Sequence, residues 1–345
     1  MKRLAYLTGL AGLLLLIGLV THAGLPDIVE AFVRAGWPLL LLVPAHLIPL
    51  ALDAQGWRIL LRPIDPGRRA TLPFLLWIAA VREAIGRLLP AASIGGEVVG
   101  IRLSRLRLQD TTAVAATVII EVLITVVVQY LFCGLGLVLI IHSAAGAAQL
   151  WTYFVGLLLS LPIPIVMFFA LRHGALFERI EAIAERLLGI ESRLAMRLDG
   201  ARLDGEMRNL FNQPGRLALT LAWQLAGYVI GSGETWFALQ LLGHPVDIGT
   251  AIAVEALTQV VRHATFFVPG GLGLHEAGVM LLASLAGVAS DVGLSLALIK
   301  RMREVLFGVP ALLSWQWVEA SQLRHSRVLT PPKKNAKGAR ASCSG

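Results

Sequence analysis

The chain has 345 residues, of which 56% are hydrophobic and 15% are charged. Soluble domains usually contain about 25% charged residues, so this composition excludes a soluble domain and predicts a polytopic membrane protein. The formal charge of +8 does not indicate nucleic-acid binding, because it is concentrated in the tail and has no interleaved aromatic residues.

The first two predicted elements are spans. The apolar run within residues 1–24 follows two cations and ends in a poor cleavage site, which predicts a retained first span with a cytosolic N-terminus. A second span is predicted over residues 38–61. The loop after it contains three arginines and therefore returns the chain to the cytosol by the positive-inside rule.

A break in the next apolar segment predicts a re-entrant helical hairpin. Residues 71–89 are apolar but contain three charged side chains, and Pro90 follows them. The amphipathic piece after Pro90 ends in IRLSRLRLQD, whose arginines must again face the cytosol. A backbone interrupted at membrane depth must be sheltered by protein or line a watery cavity.

The middle of the chain predicts two further spans and an insert. The run from Thr111 to His142 is long enough to cross a bilayer core of about 30 Å at about 1.5 Å per residue. A span over 151–171 returns the chain to the cytosol. Residues 172–216 are rich in arginines and acids, with apolar residues at helical spacing, which predicts a cytosolic amphipathic insert. That insert either lies on the membrane or the protein surface, or docks a partner.

The second half predicts a span over 217–242, a hairpin within 248–288, and a last span from Asp291 to about Trp317. The hairpin contains the break VPGGLGLHE and has no basic flank, so we expect it to enter from the outside. The basic tail contains six cations and is predicted to be cytosolic and disordered. These cations are Arg324, Arg327, Lys333, Lys334, Lys337 and Arg340.

The two breaks are related by an internal repeat. A single ungapped shift of the chain places Pro90 on Pro269 and Glu97 on Glu276, so that each proline is followed at the same spacing by a glutamate. Inverted repeats with interrupted helices are typical of transporters, whose substrate site lies near the midplane where the breaks meet. A coincidental alignment is the alternative.

These elements define the predicted organisation. The fold class is an all-α polytopic membrane protein, with about six spanning helices and two re-entrant hairpins in an inverted repeat. A single membrane domain covers 1–322, with a first repeat of about 38–142, the insert 172–216, and a second repeat of about 217–320. The tail is 323–345. Both termini are predicted in the cytosol, in a bacterial inner membrane.

Charged residues inside the membrane are the candidate site residues, because each is costly to insert. Glu83 and Arg87 are four residues apart and can pair on one helix face. Glu121 has no cation in its own span, so we expect it to pair with Arg82 or Arg262 from another helix. The N-termini of broken helices also attract anions. With these arginines they predict a cavity for an anionic head group, and a purely structural charge network is the alternative.

No metal or cofactor is predicted. His275 beside Glu276 suggests metal binding or acid–base chemistry, but no zinc-binding spacing accompanies the pair. Cys133 lies in an apolar run and Cys343 lies near the end of the chain, so the two cysteines do not predict a disulfide framework.

Three segments resemble the flippase-like membrane domain of bacterial lysylphosphatidylglycerol synthases. They are PAASIGGEVVGIRLSR from Pro90, FFVPGGLGLHEAG from Phe266 and ALIKRMREVLFG from Ala297. The chain is most similar to the hopanoid-biosynthesis-associated HpnL type. The resemblance implies movement of a lipid across the bilayer without the soluble transferase of the larger synthases. The cavity residues expected by analogy are Arg82, Glu97, Arg262, Glu276 and Arg303.

We therefore expect a lipid translocase, not an enzyme, whose cargo is a hopanoid or an anionic lipid intermediate. Lipid-biosynthesis proteins are expected as further partners. The alternatives are a membrane-embedded head-group transferase and a non-transporting scaffold for lipid biosynthesis. The substrate-binding hypothesis covers nine residues: Arg82, Glu83, Arg87, Glu97, Glu121, Arg262, His275, Glu276 and Arg303.

Overall fold

A computed structural model describes residues 36–89, 94–143, 161–173, 199–264, 273–285 and 287–329. These residues form helices and contain no β-strand, which confirms the predicted all-α class. A 3-10 turn at Trp37–Leu41 is followed by eleven α-helices within the described ranges. They are α1 Leu42–Ala45, α2 Leu47–Leu61, α3 Leu72–Leu88, α4 Ile94–Ser104, α5 Thr111–Ser143, α6 Pro162–His173, α7 Gly200–Phe211, α8 Pro214–Leu241, α9 Ile248–Ala264, α10 Leu274–Leu285 and α11 Ser290–Leu329.

Local sequence explains where several helices begin. Proline stands in the first turn of α3 and α8, where its missing N–H leaves no hydrogen bond unmade. Asp199 caps α7 by accepting the backbone N–H of Arg202 at 3.0 Å. Asp247 precedes α9 and accepts the backbone N–H of Thr250 at 3.1 Å. These caps satisfy N–H groups that have no partner inside the helix.

The described helices form two sets of four, α2–α5 in the first half of the chain and α8–α11 in the second. Helices of each set pack on helices of the other set. Helices α5 and α11 begin at Thr111 and Ser290, which are related by the same shift as Pro90 and Pro269. Helix α3 of the first half packs on α11 of the second, and α9 of the second half packs on α5 of the first. Helices α2 and α8 pack on each other, so they form the centre of this arrangement.

Glycines allow α2 and α8 to approach closely. A Cβ on Gly227 would lie 3.2 Å from the carbonyl oxygen of Pro49, and one on Gly56 would lie 3.4 Å from that of Thr220. The Thr220 hydroxyl donates a hydrogen bond to the carbonyl of Gly56 at 3.2 Å. Small residues at a helix interface of this kind are typical of membrane proteins, where close backbone contact drives association.

Two described stretches are long and apolar enough to cross a membrane by length and composition. They are Trp37–Leu61, with a mean hydropathy of 1.6, and Thr111–Leu139, with a mean hydropathy of 2.4. Both coincide with predicted spans. The predicted first span lies outside the described residues, as do residues 151–160 of the span predicted at 151–171. The count of six spans therefore stays a prediction.

The two breaks are also outside the described residues, which omit 90–93 and 265–272. Pro90 and Pro269 are among the omitted residues, so the re-entrant course of each hairpin stays a prediction. What the structure describes is the helix on each side of each break. In both hairpins these two helices pack on each other, α3 with α4 and α9 with α10.

Helix α7 is the described part of the predicted amphipathic insert. Its apolar residues Leu203, Met207 and Phe211 are buried, and the Phe211 ring meets Phe168 of α6 edge to face at 5.2 Å between centroids. Helix α7 also packs on α5, so its apolar face lies on the protein itself. At the other end of the chain, α11 continues to Leu329, past the boundary predicted at residue 322.

Candidate functional site

A cavity with a volume of about 570 Å³ lies between the two halves of the described helices. We call it the central cavity. Its lining comes from helices of both halves and combines apolar side chains with a dense set of charged ones. The acidic and basic lining residues, histidine included, are His46, Asp53, Arg82, Glu83, Arg87, Glu97, Glu121, Glu234, Glu255, Arg262, Lys300 and Arg303.

Seven of the nine predicted site residues line this cavity, and two do not. The seven are Arg82, Glu83, Arg87, Glu97, Glu121, Arg262 and Arg303. His275 and Glu276 are not among the lining residues.

Glu276 has a local role at the start of α10. Its carboxylate accepts the backbone N–H of Gly273 at 2.7 Å, so it satisfies a donor that the helix leaves free. Gly273 has a φ of 75°, a left-handed conformation that glycine adopts without steric cost. The glycine and glutamate of the GLGLHE motif are therefore explained by helix initiation. Glu97 holds the matching position in the first turn of α4 but has an ion pair instead.

Arg82 holds together the charges of the first half, in a group that we call the Arg82 cluster. Its guanidinium binds Glu121 of α5 at 2.9 Å and also forms an ion pair with Glu97 of α4. The same guanidinium lies 5.0 Å from the centroid of the buried Trp57 ring, within the range of a cation–π interaction. Arg82 is thus the partner of Glu121, and Arg262, the other candidate, binds elsewhere.

Glycines of the IGGEVVG segment let α4 pack directly on Arg82. A Cβ on Gly96 would lie 2.5 Å from the carbonyl oxygen of Arg82, and one on Gly100 would lie 2.6 Å from its Cδ. Real Cβ atoms do not approach heavy atoms so closely. The two glycines, four residues apart on one face of α4, therefore keep α4 close to Arg82. Gly96 lies against the backbone of Arg82, and Gly100 lies against the aliphatic part of its side chain.

We expect Gly100→Ala to destabilise the fold by roughly 1–3 kcal/mol, because the new methyl group displaces Arg82 from its two carboxylates. Gly86→Ala is the matched control, since a Cβ there would meet no atom within 4 Å. The control should be neutral or slightly stabilising, because alanine is the better helix former. Thermal unfolding in detergent micelles measures both. Equal unfolding temperatures for the two variants would contradict the packing argument.

His46 joins the two halves at one side of the cavity, in a group that we call the His46 cluster. Its Nε2 lies 2.8 Å from Glu83 of α3, and its Nδ1 lies 2.9 Å from Glu234 of α8. Arg303 of α11 forms an ion pair with Glu234 and approaches His46 Nδ1 at 2.5 Å. The His46 ring also packs edge-on against Phe307, with 5.2 Å between the centroids.

A buried carboxylate on α11 collects three arginines, in a group that we call the Glu304 cluster. Glu304 accepts from Arg87 of α3 at 2.5 Å and from Arg301 at 3.1 Å, and it lies 3.4 Å from Arg262 of α9. Arg87 is shared with Glu83, four residues earlier on the same helix, at 3.2 Å. The expected pair Glu83–Arg87 therefore forms, but as one link in a network that joins α3, α9 and α11.

The remaining charged pair lies in the second half. Lys300 of α11 forms an ion pair with Glu255 of α9. The Glu255 carboxylate also accepts from the Thr235 hydroxyl at 2.5 Å and from Gln259 Nε2 at 2.9 Å. Glu255 is thereby tied to the same helix, to α8 and to α11.

The predicted set omits five of the lining residues listed above. Three of them, Glu234, Glu255 and Lys300, lie on helices of the second half. The other two are His46 and Asp53. Both belong to the predicted second span, and together with Pro49 and Leu50 they follow helical spacing along one face. Among the described residues, Asp53 is the cavity carboxylate that makes no ion pair. An acid and a histidine within an otherwise apolar span were the available signal, because ionisable groups in a span are rarely without function.

The ion pairs change the expected electrostatics of the site. The lining contains six carboxylates and five permanent cations, so it has no excess of positive charge. Each of Arg82, Arg87 and Arg262, on which the expectation of an anionic cargo rested, is paired with a carboxylate. The attraction for anions that was predicted from these arginines is therefore offset by carboxylates, most of which come from other helices.

Metal ligation was not expected, and the described residues contain no group of three or more His, Cys, Asp or Glu side chains arranged to hold a metal ion. Cys133 is buried and, within the described ranges, makes no disulfide. The absence of a cofactor stays a prediction.

Comparison with known proteins identifies the family. A family model described as the transmembrane region of lysylphosphatidylglycerol synthase matches residues 5–311. The chain belongs to this family. No curated protein and no solved structure matches the chain.

Membership in the lysylphosphatidylglycerol synthase transmembrane family makes the chain a membrane domain related to lipid biosynthesis and translocation. The match extends over the described helices from the 3-10 turn into α11, and thus over all the lining residues of the central cavity. It also agrees with the apolar side chains on the outside of the described helices, such as Val166 at 64%, Leu281 at 63% and Leu313 at 64% exposure. Such exposed residues are expected where lipid replaces water.

Proposed function

We propose that this chain is a lipid translocase of the bacterial inner membrane. In this proposal the polar head group of the lipid passes through the central cavity while its apolar body stays in the bilayer. The observation that carries the proposal is the cavity of about 570 Å³, with charged side chains from both halves, inside a membrane domain of a lipid-related family. This volume is within the range of small-molecule sites, about 300–1,000 Å³.

The proposal includes six spans, two re-entrant hairpins and an inverted repeat, with both termini in the cytosol. The packing supports the repeat. The shift that relates Thr111 to Ser290 makes α5 correspond to α11 and α3 to α9. The contact of α3 with α11 therefore has its counterpart in the contact of α9 with α5. A cavity between two such halves is where transporters built from inverted repeats bind their substrates. The basic loops support the orientation.

The balance of charge supports a head group that has no net charge or has charges of both signs. A strongly anionic head group would meet six carboxylates as well as five cations. Gln224 is 1% exposed and lines the cavity, and its Nε2 makes no hydrogen bond of normal geometry with the described residues. This amide would donate to a hydroxyl or carbonyl oxygen of the head group. A hopanoid intermediate, to which the resemblance points, is the first lipid to test.

The cavity supports translocation better than head-group transfer. General acid–base catalysis needs a carboxyl group that is free to take and give a proton at the substrate. Five of the six lining carboxylates are instead held in ion pairs among the described residues. The sixth, Asp53, therefore lacks the second free carboxyl group with which it could act as an acid and base pair. The remaining alternative, a scaffold, does not need an open cavity. A variant whose cavity is filled therefore distinguishes a translocase from a scaffold.

Gly86→Leu is expected to block lipid movement without loss of the fold. Gly86 lines the cavity, and a Cβ at this position meets no atom within 4 Å, so the larger side chain extends into the open space. Gly233→Leu is the matched control, because Gly233 is exposed, has the same open surroundings and does not line the cavity. Purified variants are reconstituted into vesicles that contain a hopanoid or a panel of head-group-labelled phospholipids. The rate at which each lipid becomes accessible in the outer leaflet is then measured.

The expected result is rapid lipid exchange for the wild type and for Gly233→Leu, and exchange near that of empty vesicles for Gly86→Leu. Exchange that persists unchanged in Gly86→Leu would show that lipids do not pass through this cavity. A chemically altered head group, detected by mass spectrometry of the recovered lipid, would favour the transferase. Absence of exchange for every lipid in wild-type vesicles would overturn translocation and favour the scaffold.

A further inference from the structure

His46 is the one titratable lining residue of the described cavity whose ordinary pKa lies near neutral pH. It stands between α1 and α2 and meets groups from three other helices. Glu83 and Arg87 face this region from α3, Glu234 faces it from α8, and Arg303 and Glu304 face it from α11. Asp53 is the lining carboxylate that shares a helical face with His46.

The Nδ1 atom of His46 has two competing neighbours. It lies 2.9 Å from a carboxylate oxygen of Glu234, which when ionised can only accept a hydrogen bond, and 2.5 Å from the guanidinium of Arg303, which can only donate one. A protonated Nδ1 donates to Glu234 and repels Arg303. An unprotonated Nδ1 accepts from Arg303 instead. Both contacts are therefore satisfied only in alternation, and the proton on Nδ1 decides which one forms.

The cluster tolerates both protonation states, because each carboxylate has a second cation. Glu83 has Arg87 at 3.2 Å, and Glu234 has an ion pair with Arg303. Loss of the proton from His46 consequently leaves neither carboxylate without a positive partner. A purely structural imidazolium would lack this property, since its deprotonation would leave buried charges unpaired at a cost of several kcal/mol.

The proton also sets the net charge of the lining. With His46 neutral and all other lining groups ionised, six carboxylates face five cations, and with His46 protonated the charges are equal. The contacts of His46 connect α3 of the first half with α8 and α11 of the second. A change of partner at Nδ1 therefore changes both the charge of the cavity and a link between the two halves that enclose it.

We propose that His46 binds and releases a proton that is coupled to lipid movement, so that the chain uses a proton gradient to drive its lipid. The coupling rests on the proposed translocation, but the proton site does not. In the protonated state His46 donates to both Glu83 and Glu234 and links these two carboxylates at one side of the cavity. In the neutral state it accepts from Arg303, and the link between these two carboxylates is absent.

The proton site is tested by NMR without any lipid transport. The chain contains eight histidines, so it is labelled with ¹⁵N-histidine in lipid nanodiscs and the signal of His46 is assigned by its loss in His46→Gln. We expect its ring to change from doubly to singly protonated within the range from about pH 5 to about pH 10. Arg303→Met should shift this transition, because it removes the competing donor at Nδ1. A ring that keeps one protonation state across the range would overturn the proposal.

The coupling is tested in vesicles with a pH difference of one unit across the membrane. For one proton per lipid, the wild type is expected to accumulate its lipid about tenfold in one leaflet, since one pH unit corresponds to a tenfold ratio at equilibrium. His46→Gln should bring the two leaflets to equal occupancy, and Gly233→Leu should behave as the wild type. Equal occupancy in the wild type would overturn the coupling while leaving translocation intact. If no lipid moves in any vesicle, the proposals of translocation and of coupling are both overturned. The NMR titration then still tests whether His46 binds and releases a proton.

Discussion

Replacing Arg82 with methionine is expected to destabilise the protein by about 3–5 kcal/mol and to abolish lipid movement. The substitution leaves the carboxylates of Glu97 and Glu121 without the cation that joins them, and Glu121 is 2% exposed. Uncompensated charge at a buried site has this magnitude of effect because water cannot replace the lost partner. Methionine keeps most of the aliphatic volume that packs against Gly100, so the loss reports the charge and not a cavity in the packing.

Arg102→Met is the matched control for Arg82→Met. Arg102 lies on α4 and pairs with Glu319, but its side chain is 64% exposed, so we expect a loss of less than about 1 kcal/mol. Adding Glu97→Gln and Glu121→Gln to Arg82→Met should restore much of the stability, because the unpaired charges are then gone. Thermal unfolding in micelles compares these variants with the wild type. Similar losses for Arg82→Met and Arg102→Met would mean that the Arg82 cluster contributes little.

The main features of the fold were predictable because they depend on composition and order along the chain. The all-α class was predicted from long apolar runs, and the structure confirms it. The repeat was predicted from two breaks that share a proline and a glutamate at the same spacing, and it stays a prediction. The starts of α5 and α11 then agree with the shift that relates Pro90 to Pro269. The partner of Glu121 was predictable to within two candidates, because a buried acid in a span requires a cation.

The electrostatics of the site were less predictable because they depend on contacts between distant helices. Glu234 contacts His46 and Arg303, which are 188 and 69 positions away along the chain. The sequence alone does not show which of many distant charged residues will become neighbours. The packing between the two sets of helices puts α11 beside α3, which brings Glu304 to Arg87 and cancels the positive charge expected there. His275 and Glu276 were favoured because they lie in an unusual motif, but a motif at a helix start also serves the backbone, as Gly273 and Glu276 do.

Glu304 is the point where α3, α9 and α11 meet, and its neutralisation should have the second large effect. The carboxylate is 5% exposed and accepts from Arg87 and Arg301, with Arg262 at 3.4 Å. In Glu304→Gln the shape is retained, but three guanidinium groups lose the negative charge between them. Their mutual repulsion in a region of low dielectric then favours separation of the helices. Arg87 keeps its second ion pair, with Glu83 at 3.2 Å, which limits the loss on α3.

We expect Glu304→Gln to lower the free energy of unfolding by about 3–5 kcal/mol, the magnitude typical of a broken buried ion pair. Glu319→Gln on the same helix is the control, because Glu319 pairs with the exposed Arg102 and should lose less than about 1 kcal/mol. Arg87→Met in the Glu304→Gln background removes one of the repelling charges and should recover part of the loss. A double-mutant cycle of Arg87 and Glu304 then isolates their coupling. A coupling energy near zero would show that the ion pair of Arg87 and Glu304 does not stabilise the contact of α3 with α11.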